Sequence, residues 1–109
     1  DTAVVVAWAT WNYSSMSMLQ TVAQIQKEKG SNMKVLGVCL DYSRSLCRTA
    51  LRQRDMNDIP TVCDGKAVDG DVYNRLGMSN LPDNIVIEKG RVTATGLTLE
   101  QLRKKLGKE

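Results

Sequence analysis

The sequence has 109 residues, enough for one domain with a single hydrophobic core and too few for two. Its 15 basic and 12 acidic residues give a net charge of +3, and the excess lies largely in the C-terminal residues 103–109. This placement indicates a solvated surface rather than a nucleic-acid-binding face. Histidine is absent, which excludes histidine acid–base catalysis, Ser–His and Cys–His pairs, and histidine metal sites.

The N-terminal half begins with a strand and a helix, followed by a second strand. Residues 3–9 are a continuous run of apolar and β-branched side chains, typical of a strand covered on both faces. Ser14 and Ser15 are suitable helix caps, and the helix that follows them should end at Gly30. Residues 33–41 are a second apolar run and predict a second buried strand.

The remaining elements alternate in the same way and end with a hairpin and a basic amphipathic helix. They are predicted over residues 42–56, 59–64, 67–78, 84–96 and 98–109. Lys89 and Gly90 mark the hairpin turn, and Thr98 with Gln101 forms a capping box at the last helix. The order β-α-β-α-β-α-β-β-α predicts an α/β fold: a single domain over residues 1–109, built as a three-layer α/β/α sandwich around a mixed, mostly parallel sheet.

Three segments of the chain resemble the thioredoxin-like superfamily, and within it the TlpA/ResA type of extracytoplasmic thiol-disulfide oxidoreductase. They are VVVAWATW (4–11), VLGVCLD (35–41) and LGMSNLPDNIVIEKGRV (76–92). The resemblance implies a thioredoxin-like fold in which residues 43–64 are an extra helix–strand insertion. The leading hairpin of such domains is missing, so we expect the C-terminal part of a longer exported bacterial protein with a periplasmic or cell-envelope location.

The redox motif of that family is degenerate in this chain. In the family a Cys-x-x-Cys pair opens the first helix, where the helix dipole stabilises one thiolate and the second cysteine resolves the mixed disulfide. Asn12 and Ser15 occupy these two positions and can form neither a thiolate nor a disulfide. Val6 and Asp83 also replace residue types that the resemblance implies. We therefore predict that the motif's dithiol chemistry is lost and that Asn12, Ser14 or Ser15 serves as a helix cap.

The resemblance also implies a cis peptide bond before Pro82 and a peptide-binding groove beside it. We expect this groove to persist, without its sulfur atoms, as a shallow surface between residues 11–15 and 79–83. Its predicted residues are Trp11, Tyr13, Ser14, Leu81, Pro82 and Asp83.

Three cysteines lie elsewhere in the chain, without the Cys-x-x-Cys spacing of a redox motif or a zinc ribbon. Cys39 falls within a central apolar strand, so we expect a buried, inert free thiol. Cys47 begins the next helix and Cys63 ends the following parallel strand, which places both near one edge of the sheet. Two alternatives remain open for Cys47 and Cys63: reduced, partly buried thiols, or a bridge that is structural or redox-active.

The acidic residues Asp64, Asp69 and Asp71 do not have the spacing of a calcium-binding EF-hand loop. We interpret them as a turn and a solvated helix start, and we expect neither a metal nor a cofactor.

Two functions follow from these observations. The first is a non-catalytic thioredoxin-like module that binds a protein or peptide partner, or a neighbouring domain of the same precursor, or that stabilises its neighbour. The second is a thiol-disulfide oxidoreductase that uses the non-motif pair Cys47 and Cys63. A nucleic-acid partner is not expected, and no apolar run in this segment approaches the roughly 20 residues that span a bilayer.

Overall fold

The computed structural model describes residues 2–63, 65 and 69–107. Over these residues the chain forms five strands and four α-helices, with a short 3₁₀ turn after the first helix. In chain order they are β1 Thr2–Trp8, α1 Tyr13–Lys29, β2 Met33–Cys39, α2 Arg44–Gln53, β3 Thr61–Val62, α3 Asp71–Arg75, β4 Asp83–Glu88, β5 Arg91–Thr95 and α4 Leu99–Lys105.

The strands form one mixed sheet in the order β3-β2-β1-β4-β5. β1 pairs in parallel with β2, and β2 pairs in parallel with β3. β4 runs antiparallel to β1, and β5 runs antiparallel to β4, so four of the five strands point the same way. The predicted α/β architecture with a mixed central sheet is confirmed.

Helices cover both faces of this sheet. Side chains alternate between the two faces along the central strand β1, and because they are apolar on both, each face is buried. Val4, Val6 and Trp8 face a large apolar cluster that includes side chains of α1, α2 and α4. Val5 and Ala7 face a smaller cluster that includes Tyr73 of α3. The continuous apolar run of β1 therefore serves two cores at once.

The ends of the elements follow the capping and turn chemistry of the sequence. Gly30 is the C-cap of α1, and its φ of 68° lies in the region that glycine tolerates best. The capping box between Thr98 and Gln101 is present. Lys89 and Gly90 both have positive φ values, 55° and 79°, as the tight turn of a two-residue hairpin requires.

Two predicted elements are shorter in the structure. The predicted helix over 67–78 is shorter, Asp71–Arg75, and is preceded by Gly70 as its N-cap. β3 has only two residues, although six were predicted. Asp64 and residues 66–68 lie outside the described residues, so the interpretation of the acidic residues as a turn and a solvated helix start can be examined only at Asp69 and Asp71. No helix in the described part of the chain is both long enough and apolar enough to cross a bilayer.

Candidate functional site

The residue that precedes α1 is a helix cap rather than a reactive group. Asn12 is the N-cap, and its Oδ1 accepts a hydrogen bond of 2.8 Å from the backbone N–H of Ser15. Ser14, which was also considered as a cap, is exposed. The asparagine therefore satisfies one of the N–H groups that every helix start leaves without a partner.

Ser15 is fully buried, and its hydroxyl joins the helix to the end of β1. Its Oγ accepts from the backbone N–H of Ala9 at 3.0 Å and donates to the carbonyl of Asn12 at 2.8 Å, with the carbonyl of Ala9 at 3.2 Å. Asn12 and Ser15 thus both make structural hydrogen bonds within one loop.

A buried carboxylate at the end of β2 fixes the same loop from the other side. The Asp41 side chain accepts from Thr10 Oγ1 at 2.6 Å and from the backbone N–H of Thr10 at 3.3 Å. Asp41 was not among the predicted site residues. The available signal was an acidic residue at the carboxyl end of a buried parallel strand.

The segment before β4 contains a cis peptide bond between Leu81 and Pro82. Asp83 is buried, and its carboxylate accepts from the backbone N–H groups of Ser79 and Asn84 at 3.0 and 2.8 Å. Nearby, burial and, secondarily, the charge of Asp83 raise the pKa of Tyr73, whose hydroxyl donates to the carbonyl of Asn80. The Asp83 carboxylate therefore holds the backbone of this loop in place.

Asn84 is a second buried polar residue that the sequence analysis missed. Its side-chain amide donates to the carbonyl of Leu97 at 2.8 Å, and its Oδ1 accepts from the N–H of Leu97 at 3.2 Å. This pair of bonds holds the segment after β5 against β4. An asparagine at the start of an apolar strand was the signal for such a role.

A shallow depression lies between the start of α1 and the segment after β5, with a volume of about 420 Å³. We call this depression the groove; its lining residues are Tyr13, Ser14, Ser17, Met18, Pro82 and Gly96 to Leu99. Tyr13, Ser14 and Pro82 of the predicted surface meet here, whereas Trp11, Leu81 and Asp83 are not among the lining residues. The Tyr13 side chain is 79% exposed and Trp11 is 68% exposed.

The three cysteines form a second constellation, which we call the cysteine cluster: Cys39, Cys47 and Cys63. Their sulfur atoms all lie within 4.8 Å of one another. Cys39 and Cys47 form a disulfide, and Cys63 is a half-buried free thiol. The Sγ of Cys63 lies 3.1 Å from the Sγ of Cys47 and 3.6 Å from the carbonyl oxygen of Asp41.

This arrangement corrects the prediction for Cys39, which is not an inert free thiol but the bridge partner of Cys47. The predicted approach of Cys47 to Cys63 is present, but the bond goes to Cys39. The sheet register explains why. Trp8 pairs with Cys39 across β1 and β2, and Cys63 directly follows the pair Val38–Val62 of β2 and β3. Equivalent positions on neighbouring strands point to the same face, so Cys39 and Cys63 both face α2, which carries Cys47.

Trp8, Thr61 and Gly37 pack closely beside the cluster. The Trp8 indole donates to Thr61 Oγ1 at 3.1 Å. A Cβ atom at Gly37 would lie 2.7 Å from both Thr61 Oγ1 and Trp8 Nε1, so this position admits only glycine without rearrangement. The guanidinium of Arg44 donates to the carbonyl of Cys63 at 2.8 Å and fixes the backbone that carries the free thiol.

Solved structures of thiol-disulfide oxidoreductases are similar to this chain in fold. A thiol-disulfide oxidoreductase from Bacteroides fragilis is 25% identical, with a TM-score of 0.82 over 96% of this chain and 78% of that chain. A structure assigned as the C-terminal domain of a thiol-disulfide oxidoreductase from Bacteroides thetaiotaomicron is 26% identical, with a TM-score of 0.79 over 97% and 74%. This chain belongs to the thioredoxin-like superfamily.

A more distant structure, StoA from Bacillus subtilis, supports the thioredoxin-like fold alone, with 17% identity and a TM-score of 0.72 over 95% of this chain and 81% of that chain. No family model matches the sequence, and no curated protein matches it either. The superfamily assignment therefore rests on three-dimensional similarity.

Within this thioredoxin-like chain, the cysteine cluster is the one group of three or more potential metal ligands among the described residues. Thiolates are the sulfur species that bind soft metal ions. Because Cys39 and Cys47 are joined to each other, the oxidised form offers one thiol, and its donor set does not fit a metal. The chemistry that the cluster can perform in this form is thiol–disulfide exchange.

Proposed function

We propose that this chain is a thioredoxin-like module of the TlpA/ResA type in which the opening of α1 has no redox role and the groove binds a peptide segment of a partner protein. The observation that carries the proposal is the hydrogen bonding of Asn12 and Ser15. The two residues at the motif positions carry no sulfur, and each is used to hold the loop between β1 and α1.

The groove supports an extended peptide as the ligand. Its residues combine apolar side chains, such as Met18 and Leu97, with exposed polar groups on the first turn of α1. The depression is open and shallow, which suits a segment of chain better than an enclosed small molecule. The segment would come from a separate protein or from a neighbouring domain of the same precursor.

The resemblance to extracytoplasmic oxidoreductases supports a periplasmic or cell-envelope location in a bacterium. The Cys39–Cys47 disulfide supports the same location, because disulfides persist in oxidising compartments. We include this location in the proposal.

Disulfide reductase activity tests the loss of the motif. With dithiothreitol as the electron donor and insulin as the substrate, the wild-type chain should show the background rate. The double variant Asn12→Cys/Ser15→Cys, in which a dithiol is restored at the helix start, should exceed that rate. Wild-type turnover that survives the substitution of Cys47 by serine would contradict the proposal.

Peptide selection tests the groove. Peptides selected from a displayed random library against the wild type should bind Tyr13→Ala more weakly and Tyr42→Ala equally well. Tyr42 is a matched control because it is 76% exposed, close to the 79% of Tyr13, and does not line the groove. Equal binding to both variants would place the peptide elsewhere and reject the groove.

A second candidate function is a thiol-disulfide oxidoreductase that acts through the cysteine cluster. The observation in its favour is the 3.1 Å separation between the sulfur atoms of Cys47 and Cys63. It predicts turnover in the insulin assay that is lost in the Cys47→Ser variant, which distinguishes it from the first candidate.

A further inference from the structure

We propose that Cys63 is the entry thiol of the cysteine cluster: it exchanges with the Cys39–Cys47 disulfide and moves the bridge to Cys47–Cys63, where an external thiol can reduce it. This inference rests on the second candidate function, in which the cysteine cluster performs thiol–disulfide exchange. Its structural basis is the geometry of the cluster alone. It does not depend on the groove.

Burial makes an entry thiol necessary. Cys39 is 2% exposed and Cys47 is 1% exposed, so a reductant in solution has almost no access to either bridged sulfur. Thiol–disulfide exchange requires direct attack of a thiolate on a disulfide sulfur. Cys63 is half-buried, which makes it the member of the cluster that solvent can reach.

The proposed first step is an exchange within the protein. The Cys63 thiol gives its proton to solvent, and its sulfur attacks Cys47 Sγ, 3.1 Å away. The Cys47–Cys63 bond forms as the Cys39–Cys47 bond breaks. The electron pair of the broken bond stays on Cys39 Sγ, which takes up a proton. One disulfide and one thiol are present before and after, so no oxidant or reductant is consumed.

The second step uses an external thiol. Its thiolate attacks Cys63 Sγ of the moved bridge, and Cys47 leaves as a thiolate that takes up a proton. A second external thiolate attacks the external sulfur of the mixed disulfide, which releases Cys63 as a thiol and forms the disulfide of the reductant. Two external thiols are oxidised, and one protein disulfide is reduced to two thiols.

The surroundings of Cys63 favour a small anionic thiol as the reductant. A small pocket opens over the cluster and is lined by Arg44, Cys47, Arg48, Thr61 and Cys63. Two of these residues are arginines, and none of the described lining residues is acidic. Positive charge at the opening of a pocket raises the local concentration of anions and their rate of approach.

Reduction kinetics of the oxidised full chain test the proposal. The wild type and Cys63→Ser are incubated with reduced glutathione in native buffer, quenched with acid, alkylated in denaturant and analysed by mass spectrometry. Without Cys63, reduction must wait for local opening, so we expect Cys63→Ser to be at least about tenfold slower. In concentrated guanidinium chloride, where the native geometry is lost, the two proteins should be reduced at nearly the same rate. Equal rates in native buffer would overturn the proposal.

A second variant tests the moved bridge directly. Cys39→Ser keeps Cys47 and Cys63, and oxidised glutathione should convert them to a Cys47–Cys63 disulfide that peptide mapping identifies. Circular dichroism verifies that each variant is folded. If Cys63→Ser does not fold, Cys63→Ala takes its place in the reduction experiment. A folded Cys39→Ser protein that does not form this bridge would also overturn the proposal, whatever the outcome of the groove experiments.

The preference for an anionic thiol is tested with Arg48→Glu. This variant should be reduced more slowly than the wild type by glutathione, whose thiolate form carries extra carboxylate charge, and should be slowed less with 2-mercaptoethanol, whose thiolate is its only charge. Arg91→Glu is the matched control, because it makes the same charge change at an exposed position on β5. Equal slowing of both variants would mean that net charge, and not the pocket, sets the rate.

Discussion

At the scale of single residues, the start of α1 shows how one atom changes a site. A cysteine at residue 15 would present a sulfur atom, whereas the serine hydroxyl lies fully buried between the N–H of Ala9 and the carbonyl of Asn12. The lengths of these two bonds, 3.0 and 2.8 Å, are typical of hydrogen bonds to and from an oxygen atom. The serine therefore has a structural task that explains its burial.

Removal of that hydroxyl should be costly. Ser15→Ala leaves the buried N–H of Ala9 without its partner, and we expect the free energy of unfolding to fall by about 1–3 kcal/mol. Ser14→Ala, at the exposed neighbouring position, should change it by less than about 0.5 kcal/mol. Urea denaturation followed by circular dichroism measures both values. Equal losses would show that the buried hydroxyl of Ser15 contributes no more than the exposed hydroxyl of Ser14.

At the scale of elements, an acidic residue on β4 joins three segments. Glu88 accepts a hydrogen bond of 2.7 Å from Thr93 of β5 and lies 3.1 Å from Lys105 of α4. The hydrogen bond from Thr93, followed by that from Lys105, lowers the pKa of Glu88 below its usual value of 4.5. The carboxylate is thus stabilised more in the folded state than in the unfolded state.

The sign of the pH dependence follows from this lowered pKa. Glu88 stabilises the fold above the pKa of the unfolded state, and this contribution is lost as the pH falls through the pKa of the folded state. Glu88→Gln should therefore be less stable than the wild type at neutral pH, and the difference should vanish once the pH falls below the lowered pKa of Glu88. Thermal unfolding as a function of pH measures this difference in stability.

Glu100→Gln is the control, because it removes a carboxylate from an exposed ion pair at 4.0 Å. It should have a smaller effect on stability than Glu88→Gln. A difference for Glu88→Gln that persists in acid would refute the role assigned to the Glu88 carboxylate.

The elements also show which features were readable from sequence. Strand and helix order followed from apolar periodicity, and the turn at Lys89-Gly90 and the cap at Thr98 followed from local chemistry. The partner of Cys47 did not follow, because a disulfide depends on distances across the fold, and Cys39 resembled an ordinary core residue. The role of Ser15 was ambiguous for the same reason: a serine that caps and a serine that turns inward look alike in sequence.

At the scale of the whole molecule, the cluster and the groove lie at the carboxyl-end side of β1 and β2, and different elements build them. The cluster joins β2, α2 and the end of β3, whereas the groove is formed by α1 and the segments around β4 and β5. The loop that carries Asn12 lies between them and is tied to β2 through Asp41. Redox change in the cluster can therefore be separated experimentally from binding in the groove.

The disulfide should contribute to global stability through the unfolded state. Cys39 and Cys47 are 8 residues apart, and closure of a loop of this size corresponds to about 2–3 kcal/mol on the chain-entropy model. Reduction should lower the free energy of unfolding by this amount. The alternative Cys47–Cys63 bridge spans 16 residues, and its loop-closure contribution should be similar, roughly 3 kcal/mol.

Urea denaturation of four samples tests whether the two bridges are thermodynamically exchangeable: oxidised and reduced wild type, and oxidised and reduced Cys39→Ser. We expect each reduced protein to be less stable than its oxidised form. Reduced Cys39→Ser supplies the baseline for the lost cysteine, so the gain on its oxidation isolates the Cys47–Cys63 bridge. If both bridges stabilise the fold to a similar extent, the bond can move between them at little cost in stability, as an exchange through Cys63 requires. A bridge in Cys39→Ser that destabilises the fold would mean that the moved form is disfavoured and that the native disulfide is a fixed structural link.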